Sequence, residues 1–284
     1  MGNNQTRRNF IKLTGLGLAA SSIKGFANPI SERIFVKNLN STEKLNLGLT
    51  SYTFRNFSLD QTIQMTKRLG LKRLSLKDMH LPLNSSKEAI RKAVSEIKDA
   101  GLELYGAGVI YMTNEDEVNQ AFEYAKTAGI QVIIGVPEHV FLTLAEQKVK
   151  EYNIKLAIHN HGPTDKKYPS PRSIYEKIKN MDERMGMCLD IGHTMRLGID
   201  PSDAFEKYRN RIFDIHIKDE TKAAADGSTI EIGRGVINIP KFLSALIKYN
   251  YTGTIAFEFE KDKEDPLPGV AESVGYVRGV LAVV

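Results

Sequence analysis

Short apolar runs alternate with longer amphipathic segments along most of this chain. From residue 45 onward each run is bounded by turn residues, and apolar residues between the runs recur at helical spacing. Ile90, Val94 and Ile97 show that spacing in one segment. Runs that are apolar throughout are typical of parallel strands buried on both faces. The predicted strands are 45–54, 71–77, 102–109, 131–136, 155–161, 186–191, 212–218 and 254–260.

Capping residues mark both ends of the predicted helices. Ser58 with Gln61, and Ser85 with Glu88, have the spacing of capping boxes at helix starts. Glycine or asparagine at the helix ends predicts left-handed caps at Gly70, Gly101, Gly129, Asn153 and Asn250.

The repeating units define the fold class. Eight strands, each followed by a helix, predict a single-domain α/β protein, a (β/α)8 TIM barrel, over residues 45–284. The alternative is an open doubly wound sheet, which would normally have about six strands. No G-x-G-x-x-G motif follows the first predicted strand, which favours the barrel.

Polar and ionisable residues gather where the predicted strands end. All six histidines of the chain lie at one of these ends or in the loop just beyond it. In such barrels the carboxyl ends of the strands and the following loops form the active site. The strand-end groups are 77–80, 138–139, 159–161, 190–193, 216–219 and 258–260.

Two residue types at these ends point to a metal. Imidazole and carboxylate together suit Mn²⁺, Zn²⁺, Co²⁺ or Fe²⁺. His159 and His161 share a strand face, since residues i and i+2 point the same way, so either can supply the fifth strand's ligand. The sequence predicts one divalent ion, Mn²⁺, Zn²⁺ or Co²⁺, with the candidate ligands His159, His161, Asp190, His216 and Glu258.

The same strand ends carry a family resemblance. The chain resembles the sugar phosphate isomerase/epimerase superfamily, whose barrels are similar to xylose isomerase, over about residues 45–284. The motifs that carry it are 75–78 (SLKD), 158–161 (IHNH), 189–193 (LDIGH), 216–219 (HIKD), 232–235 (IGRG) and 257–260 (FEFE).

The resemblance implies a ligand set and a reaction type. Members of the superfamily typically bind one divalent metal through an acid, an aspartate, a histidine and a glutamate on strands 5 to 8. The last three correspond to Asp190, His216 and Glu258, whereas His159 stands where many members have glutamate. The implied reaction is proton abstraction next to the carbonyl of a carbohydrate, by a sugar isomerase or epimerase.

Catalytic roles follow from these positions as hypotheses. Glu258 or Glu138 serves as the base, and an imidazole at His159 is the other candidate for proton transfer. His193 and Lys218 orient the substrate or support the metal site, and Lys77 holds a substrate oxygen.

Two alternatives to this function stay open, and a third is excluded by particular residues. One is a metal-dependent lyase or hydratase acting on 3-keto-glycosides, and another is a catalytically inactive sugar-binding barrel. Apurinic endonucleases share the barrel but use three zinc ions. The third predicted strand ends in Val109 where a ligand histidine is required, and 228–231 lack the Asp-x-His pair, so a single metal is predicted.

The N-terminal segment accounts for the basic charge. The net charge is +5, but residues 1–27 hold four basic residues and no acidic one, which leaves 35 basic and 34 acidic residues in the remainder. That remainder lacks a basic stripe, so we expect no nucleic-acid partner. Residues 6–12, Thr-Arg-Arg-Asn-Phe-Ile-Lys, followed by a short apolar run, resemble a twin-arginine export signal.

These features predict the organisation of the whole chain. Residues 1–27 are the export signal, 28–44 a leader and 45–284 the barrel, which places the mature protein in the periplasm. The single cysteine, Cys188, excludes a disulfide framework. No apolar run approaches the roughly 20 residues of a membrane-spanning helix. The expected partner is a small carbohydrate substrate, and the sequence leaves the oligomeric state open.

Overall fold

The structure, a computed structural model, describes residues 45–284, and the predicted export signal and leader lie outside this range. The barrel strands within it are β1 (Asn46–Thr50), β2 (Arg73–Leu76), β3 (Glu103–Met112), β4 (Val132–Pro137), β5 (Lys155–His159), β6 (Met185–Asp190), β7 (Ile212–Ile217) and, after a two-stranded hairpin, β10 (Thr254–Phe257). These eight strands pair in parallel and close into a barrel in the order β1-β10-β7-β6-β5-β4-β3-β2.

Helices follow every barrel strand. They are α1 (Leu59–Arg68), α2 (Lys87–Asp99), α3 (Glu115–Ala128), α4 (Leu142–Tyr152), α5 (Pro171–Ile178), α6 (Ile191–Met195), α7 (Pro201–Tyr208), α8 (Ile239–Lys248) and α9 (Leu267–Leu281). The longer helices bury an apolar stripe against the strands, as α2 does with Ile90, Ala93 and Ile97. The predicted single-domain (β/α)8 barrel is confirmed. None of the helices in residues 45–284 is long and apolar enough to cross a membrane.

The capping residues at the start of α1 and the end of α3 lie where the sequence predicted them, whereas the one at the start of α2 differs. Ser58 and Gln61 form the predicted capping box of α1. The predicted box at Ser85 is wrong, because the backbone N–H of Ser85 bonds to Pro82 in a turn and Ser86 caps α2 instead. Gly129, with φ of 71°, closes α3 in the predicted left-handed conformation.

Several strand boundaries differ from the prediction. β1 ends at Thr50, and Ser51–Phe54 form a 3₁₀ helix whose first residue accepts the Lys77 backbone N–H on its hydroxyl at 2.8 Å. β3 continues past Val109, since Tyr111 and Met112 still pair with β4. β5, β7 and β10 end sooner than predicted, so their last polar residues stand on loops above the barrel.

A short hairpin forms one wall above the barrel. β8 (Asp219–Glu220) pairs antiparallel with β9 (Thr229–Ile230). The buried Asp219 carboxylate fixes the hairpin by accepting backbone N–H groups of Glu220, Gly233, Gly235 and Ile237 at 2.9–3.1 Å. A side chain at Gly235 would place its Cβ 2.2 Å from this carboxylate, which explains the second glycine of the IGRG motif. That motif therefore supports the wall of the site.

Candidate metal centre

Four ligand-type side chains converge at the carboxyl end of the barrel. His159 ends β5, Asp190 ends β6, His216 lies on β7, and Glu258 directly follows β10. Their potential ligand atoms all lie within 4.8 Å of one another, and all four residues are buried. We call these four residues the metal cluster. The barrel brings them together because neighbouring parallel strands end at the same edge.

The spacing within the cluster suits a divalent ion. His159 Nε2 lies 3.1 Å from His216 Nδ1 and 3.4 Å from Asp190 Oδ2, and His216 Nδ1 lies 3.2 Å from Glu258 Oε2. Neighbouring ligands around a tetrahedral ion with bonds of about 2.1 Å are about 3.4 Å apart. Two imidazoles and two carboxylates are also the ligand types that zinc and manganese accept. The residues present therefore fit one divalent ion.

A buried lysine reaches into the same cluster. Lys218 Nζ lies 2.9 Å from Asp190 Oδ2 and 2.6 Å from Glu258 Oε2, and it also pairs with Glu260. Its ammonium offsets the repulsion among three carboxylates, of which Asp190 and Glu258 are buried and Glu260 is partly exposed. The two oxygens that it contacts are the ones that would hold the ion, so Lys218 and the ion share these acceptors.

The two cluster histidines have opposite pKa shifts. Burial dominates at His159 and lowers its pKa to about 3, so this imidazole is neutral and ready to bind a metal. Burial would also lower the pKa of His216, but the nearby Glu258 carboxylate outweighs it and raises that pKa to about 9. Burial alone would raise the pKa of Glu258, but His216 and Lys218 hold it well below its usual value.

A second layer of polar groups holds the cluster in place. Asp214, fully buried two residues before His216, points its Oδ2 to within 3.5 Å of His216 Nε2, on the side away from the cluster. Carboxylates in this position fix the ring of a metal-binding histidine. Asn160 accepts the Asp190 backbone N–H at 3.0 Å and donates to the Asp190 carbonyl at 3.2 Å. The third residue of the IHNH motif, Asn160, thus ties β6 to the end of β5.

An open cavity of about 320 Å³ adjoins the cluster. We call it the inner cleft; its lining residues are Tyr52, Lys77, Val109, Tyr111, His159, His161, His193, Glu258 and Glu260. Two tyrosines, two imidazoles outside the cluster and a lysine therefore face the space next to the predicted metal position. Aromatic faces and a few convergent polar groups are typical of small-molecule sites.

Comparison with known proteins places the chain in a family. The sequence profile of the family described as xylose isomerase-like TIM barrel matches residues 54–280. The chain belongs to this family. The resemblance that the strand-end motifs predicted is thereby confirmed at the level of the xylose isomerase-like barrel, whose members include sugar isomerases, epimerases and dehydratases.

Relatives of this xylose isomerase-like barrel differ in reaction. An inosose dehydratase of Histophilus somni is 28% identical over 153 residues, which are 47% of this chain and 51% of that protein. The chain spans about half the length of the curated relatives it matches. Two solved structures show the same fold. IolI with a bound zinc atom has a TM-score of 0.69 at 17% identity, covering 84% of this chain and 98% of its own. The 3-keto-D-glucoside 4-epimerase YcjR from E. coli has a TM-score of 0.67 at 14% identity, covering 83% and 99%.

The xylose isomerase-like barrel brings most of the predicted site residues together. His161 and His193 line the inner cleft, with ring centres 4.4 Å and 6.0 Å from the His159 ring. Lys77 also lines the cleft, and its Nζ donates to the Val109 carbonyl at 2.7 Å. His159, not His161, has its ligand atom within the metal cluster. The geometry thus separates two histidines that alternation along the strand left equivalent.

Glu138 and two of the six histidines lie apart from the cluster. The Glu138 carboxylate pairs with Lys167, and Glu138 does not line the inner cleft. His139 Nε2 lies 3.2 Å from the Lys167 carbonyl. His80 is buried and bonds to Ser51 and to the Phe54 carbonyl, so it pins the loop after β1. These residues support loops around the site.

Sequence reasoning missed Tyr111 and Glu220. Tyr111 lies beyond the predicted end of the third strand, yet its hydroxyl is 3.3 Å from His161 Nε2 and the two rings are stacked. The alternation of Val109 with Tyr111 was the available signal. Glu220 follows the HIKD motif and is buried beside the site, and burial raises its pKa to about 7. Nothing in the local sequence indicates that burial.

Proposed function

We propose that this protein is an exported, divalent-metal-dependent isomerase or epimerase that removes a proton next to the carbonyl of an unphosphorylated carbohydrate. The observation that carries the proposal is the convergence of four ligand-type atoms beside a cleft lined by tyrosines, imidazoles and a lysine. Export by the twin-arginine route to the periplasm rests on residues 6–12. Sugar phosphates are mainly cytoplasmic, so a periplasmic site favours an unphosphorylated sugar.

The chemistry of the cluster supports metal dependence. When bound, a divalent ion such as Mn²⁺, Zn²⁺ or Co²⁺ supplies a Lewis acid that stabilises negative charge on the carbonyl oxygen. His159, Asp190, His216 and Glu258 would hold it. IolI, a structure of similar fold, holds a zinc atom, which supports metal dependence.

The remaining groups of the inner cleft divide the other tasks. Glu258 is already engaged by His216 and Lys218, which makes it a better ligand than proton acceptor. We therefore assign proton transfer to the imidazoles of His161 and His193, which face the cleft with side-chain exposures of 20% and 14%. Lys77 is placed to donate to a substrate oxygen, and Tyr111 offers an aromatic face to a sugar ring.

A second candidate reaction shares the first step. After the proton next to the carbonyl is removed, the hydroxyl on the adjoining carbon leaves with one proton as water, which yields an unsaturated ketone. The inosose dehydratase relative supports this elimination. The product distinguishes the two reactions, because epimerisation keeps the mass of the sugar and elimination loses water.

The test combines metal loading with solvent exchange. Mature protein is loaded with Mn²⁺ and incubated with keto-sugars in D₂O, and deuterium next to the carbonyl is followed by NMR. We expect about one ion per chain and exchange that falls at least about 100-fold in His193→Gln or His161→Gln. His139→Gln, an imidazole outside the cleft, is the matched control and keeps full exchange. Sugar binding without exchange would favour the inactive sugar-binding barrel.

A further inference from the structure

A second cavity adjoins the inner cleft on the side of the β8–β9 hairpin. Its volume is about 540 Å³. We call it the outer cleft; its lining residues are His193, Arg196, Glu220, Thr221, Gly227, Ser228, Thr229, Ile230, Glu260 and Lys261. His193 and Glu260 line both cavities, so the two clefts meet at these side chains. None of the four metal-cluster residues lines the outer cleft.

Three side chains of the outer cleft carry a polar atom that lacks a hydrogen-bond partner among residues 45–284. The atoms are Glu220 Oε2, Arg196 Nε and His193 Nδ1, and all three are buried. The Arg196 side chain is fixed, because its Nη2 donates to the Ala225 carbonyl at 2.6 Å. A buried polar atom without a partner costs about 1–3 kcal/mol. A ligand group that reaches these atoms would remove that cost.

The space that the Glu220 side chain occupies requires a glycine at position 192. A Cβ at position 192 would lie 2.7 Å from Glu220 Oε1 and 2.5 Å from Lys218 Cγ, so only glycine fits there. The Asp219 carboxylate, with its four backbone N–H donors, holds the strand on which Glu220 stands. The wall of the outer cleft is therefore preorganised.

The charges that line the outer cleft indicate the kind of group it would take. Arg196 and Lys261 are opposed by Glu220 and Glu260, and Lys261 is further neutralised by Glu231 at 2.8 Å. A polyanion would meet the two carboxylates, and an apolar group would find little beyond Ile230 to pack on. Mixed donors and acceptors of balanced charge suit the hydroxyls of a neutral sugar.

We propose that the outer cleft binds a second sugar residue, joined by a glycosidic bond to the ring that reacts in the inner cleft. The inference rests on the proposed function, and it narrows the substrate class to a disaccharide or a similar glycoside. The inner cleft takes the ring that reacts, because it adjoins the metal cluster, and a linked ring would extend past His193 and Glu260 into the outer cleft.

The test compares one ring with two. The probes are 3-ketoglucose and the 3-keto forms of maltose and cellobiose, titrated into Mn²⁺-loaded protein by calorimetry, with deuterium exchange followed in parallel. Ser228→Trp fills the outer cleft from an exposed loop position, and Val140→Trp, at an exposed position outside both clefts, is the matched control. Glu220→Ala tests the unpartnered carboxyl.

We expect at least one keto-disaccharide to bind tenfold or more tightly than 3-ketoglucose. Ser228→Trp should abolish that advantage while the affinity for 3-ketoglucose stays unchanged, and Glu220→Ala should reduce the advantage. Deuterium exchange together with equal affinities for 3-ketoglucose and the keto-disaccharides would overturn the second subsite and leave the proposed function standing. A preserved tenfold advantage without exchange would support the subsite and overturn the proposed function. No binding of either probe would overturn both.

Discussion

Binding of one divalent ion should displace one proton from His216. The Glu258 carboxylate, 3.2 Å away, raises the pKa of this imidazole to about 9, so it carries a proton at neutral pH in the metal-free protein. A metal ligand must give up its proton. His159, with a pKa of about 3, is already neutral and releases none.

The size of the effect follows from the distance between pH and pKa. At pH 7 the imidazole of His216 lies about two pH units below its pKa, and at about 1.36 kcal/mol per unit this costs about 2.7 kcal/mol of metal affinity, or roughly 100-fold. Affinity should therefore rise about tenfold per pH unit between pH 7 and pH 8, and level off above pH 9.

Calorimetry in two buffers of different ionisation enthalpy measures the released protons directly. Mn²⁺ is the ion of choice, because zinc-bound water with a pKa of about 7 would release a proton of its own. At pH 7.5 we expect about one proton per ion. His139→Gln, which alters an imidazole outside the cluster, should leave this number unchanged. Stoichiometric binding with no proton release would refute the argument, since His216 would then be neutral in the free protein.

The same proton affects folding of the metal-free protein. A group whose pKa is raised on folding stabilises the folded state fully below its unfolded pKa of about 6.5 and loses that contribution as pH rises to the folded value. For His216 the window is about pH 6.5 to 9, and the loss amounts to about 3 kcal/mol. Thermal unfolding of chelated protein should show a falling Tm across this window, and a flat profile would contradict the shift.

Three substitutions test the packing around the metal cluster. Asp214→Asn removes the carboxylate behind the His216 ring and should weaken metal binding about 10- to 100-fold while the fold is retained, as a Co²⁺ titration with circular dichroism would show. Lys218→Met removes the ammonium that shares acceptor oxygens with the ion. Metal affinity should therefore rise, while the chelated protein should lose stability. Weaker metal binding would instead show that the lysine supports the ion. Gly192→Ala should cost about 1–3 kcal/mol in denaturant unfolding, because its Cβ meets Lys218 at 2.5 Å, whereas Gly275→Ala, with no atom within 4 Å, should be neutral or stabilising.

The order of apolar runs, glycine caps and strand-end polar residues in the sequence determined the fold of this protein and the location of its candidate site. It was sufficient to predict the closed barrel, its eight strands and the edge at which the histidines and acids meet, because these depend on local periodicity and on a rule common to all parallel barrels. The convergence of Asp190, His216 and Glu258 follows from the same rule, since each lies at the end of a strand.

Only the tertiary structure decided what depends on neighbours distant in the chain. β5 ends at His159, so alternation no longer governs His161, which turns toward Tyr111. Glu138 is held by Lys167, a partner 29 residues away that local sequence does not indicate. The outer cleft likewise requires the β8–β9 hairpin to fold over α6, and a cavity between segments leaves no periodic signal in either of them. Local pattern fixes elements and edges, whereas side-chain partners and cavities arise only when the elements pack.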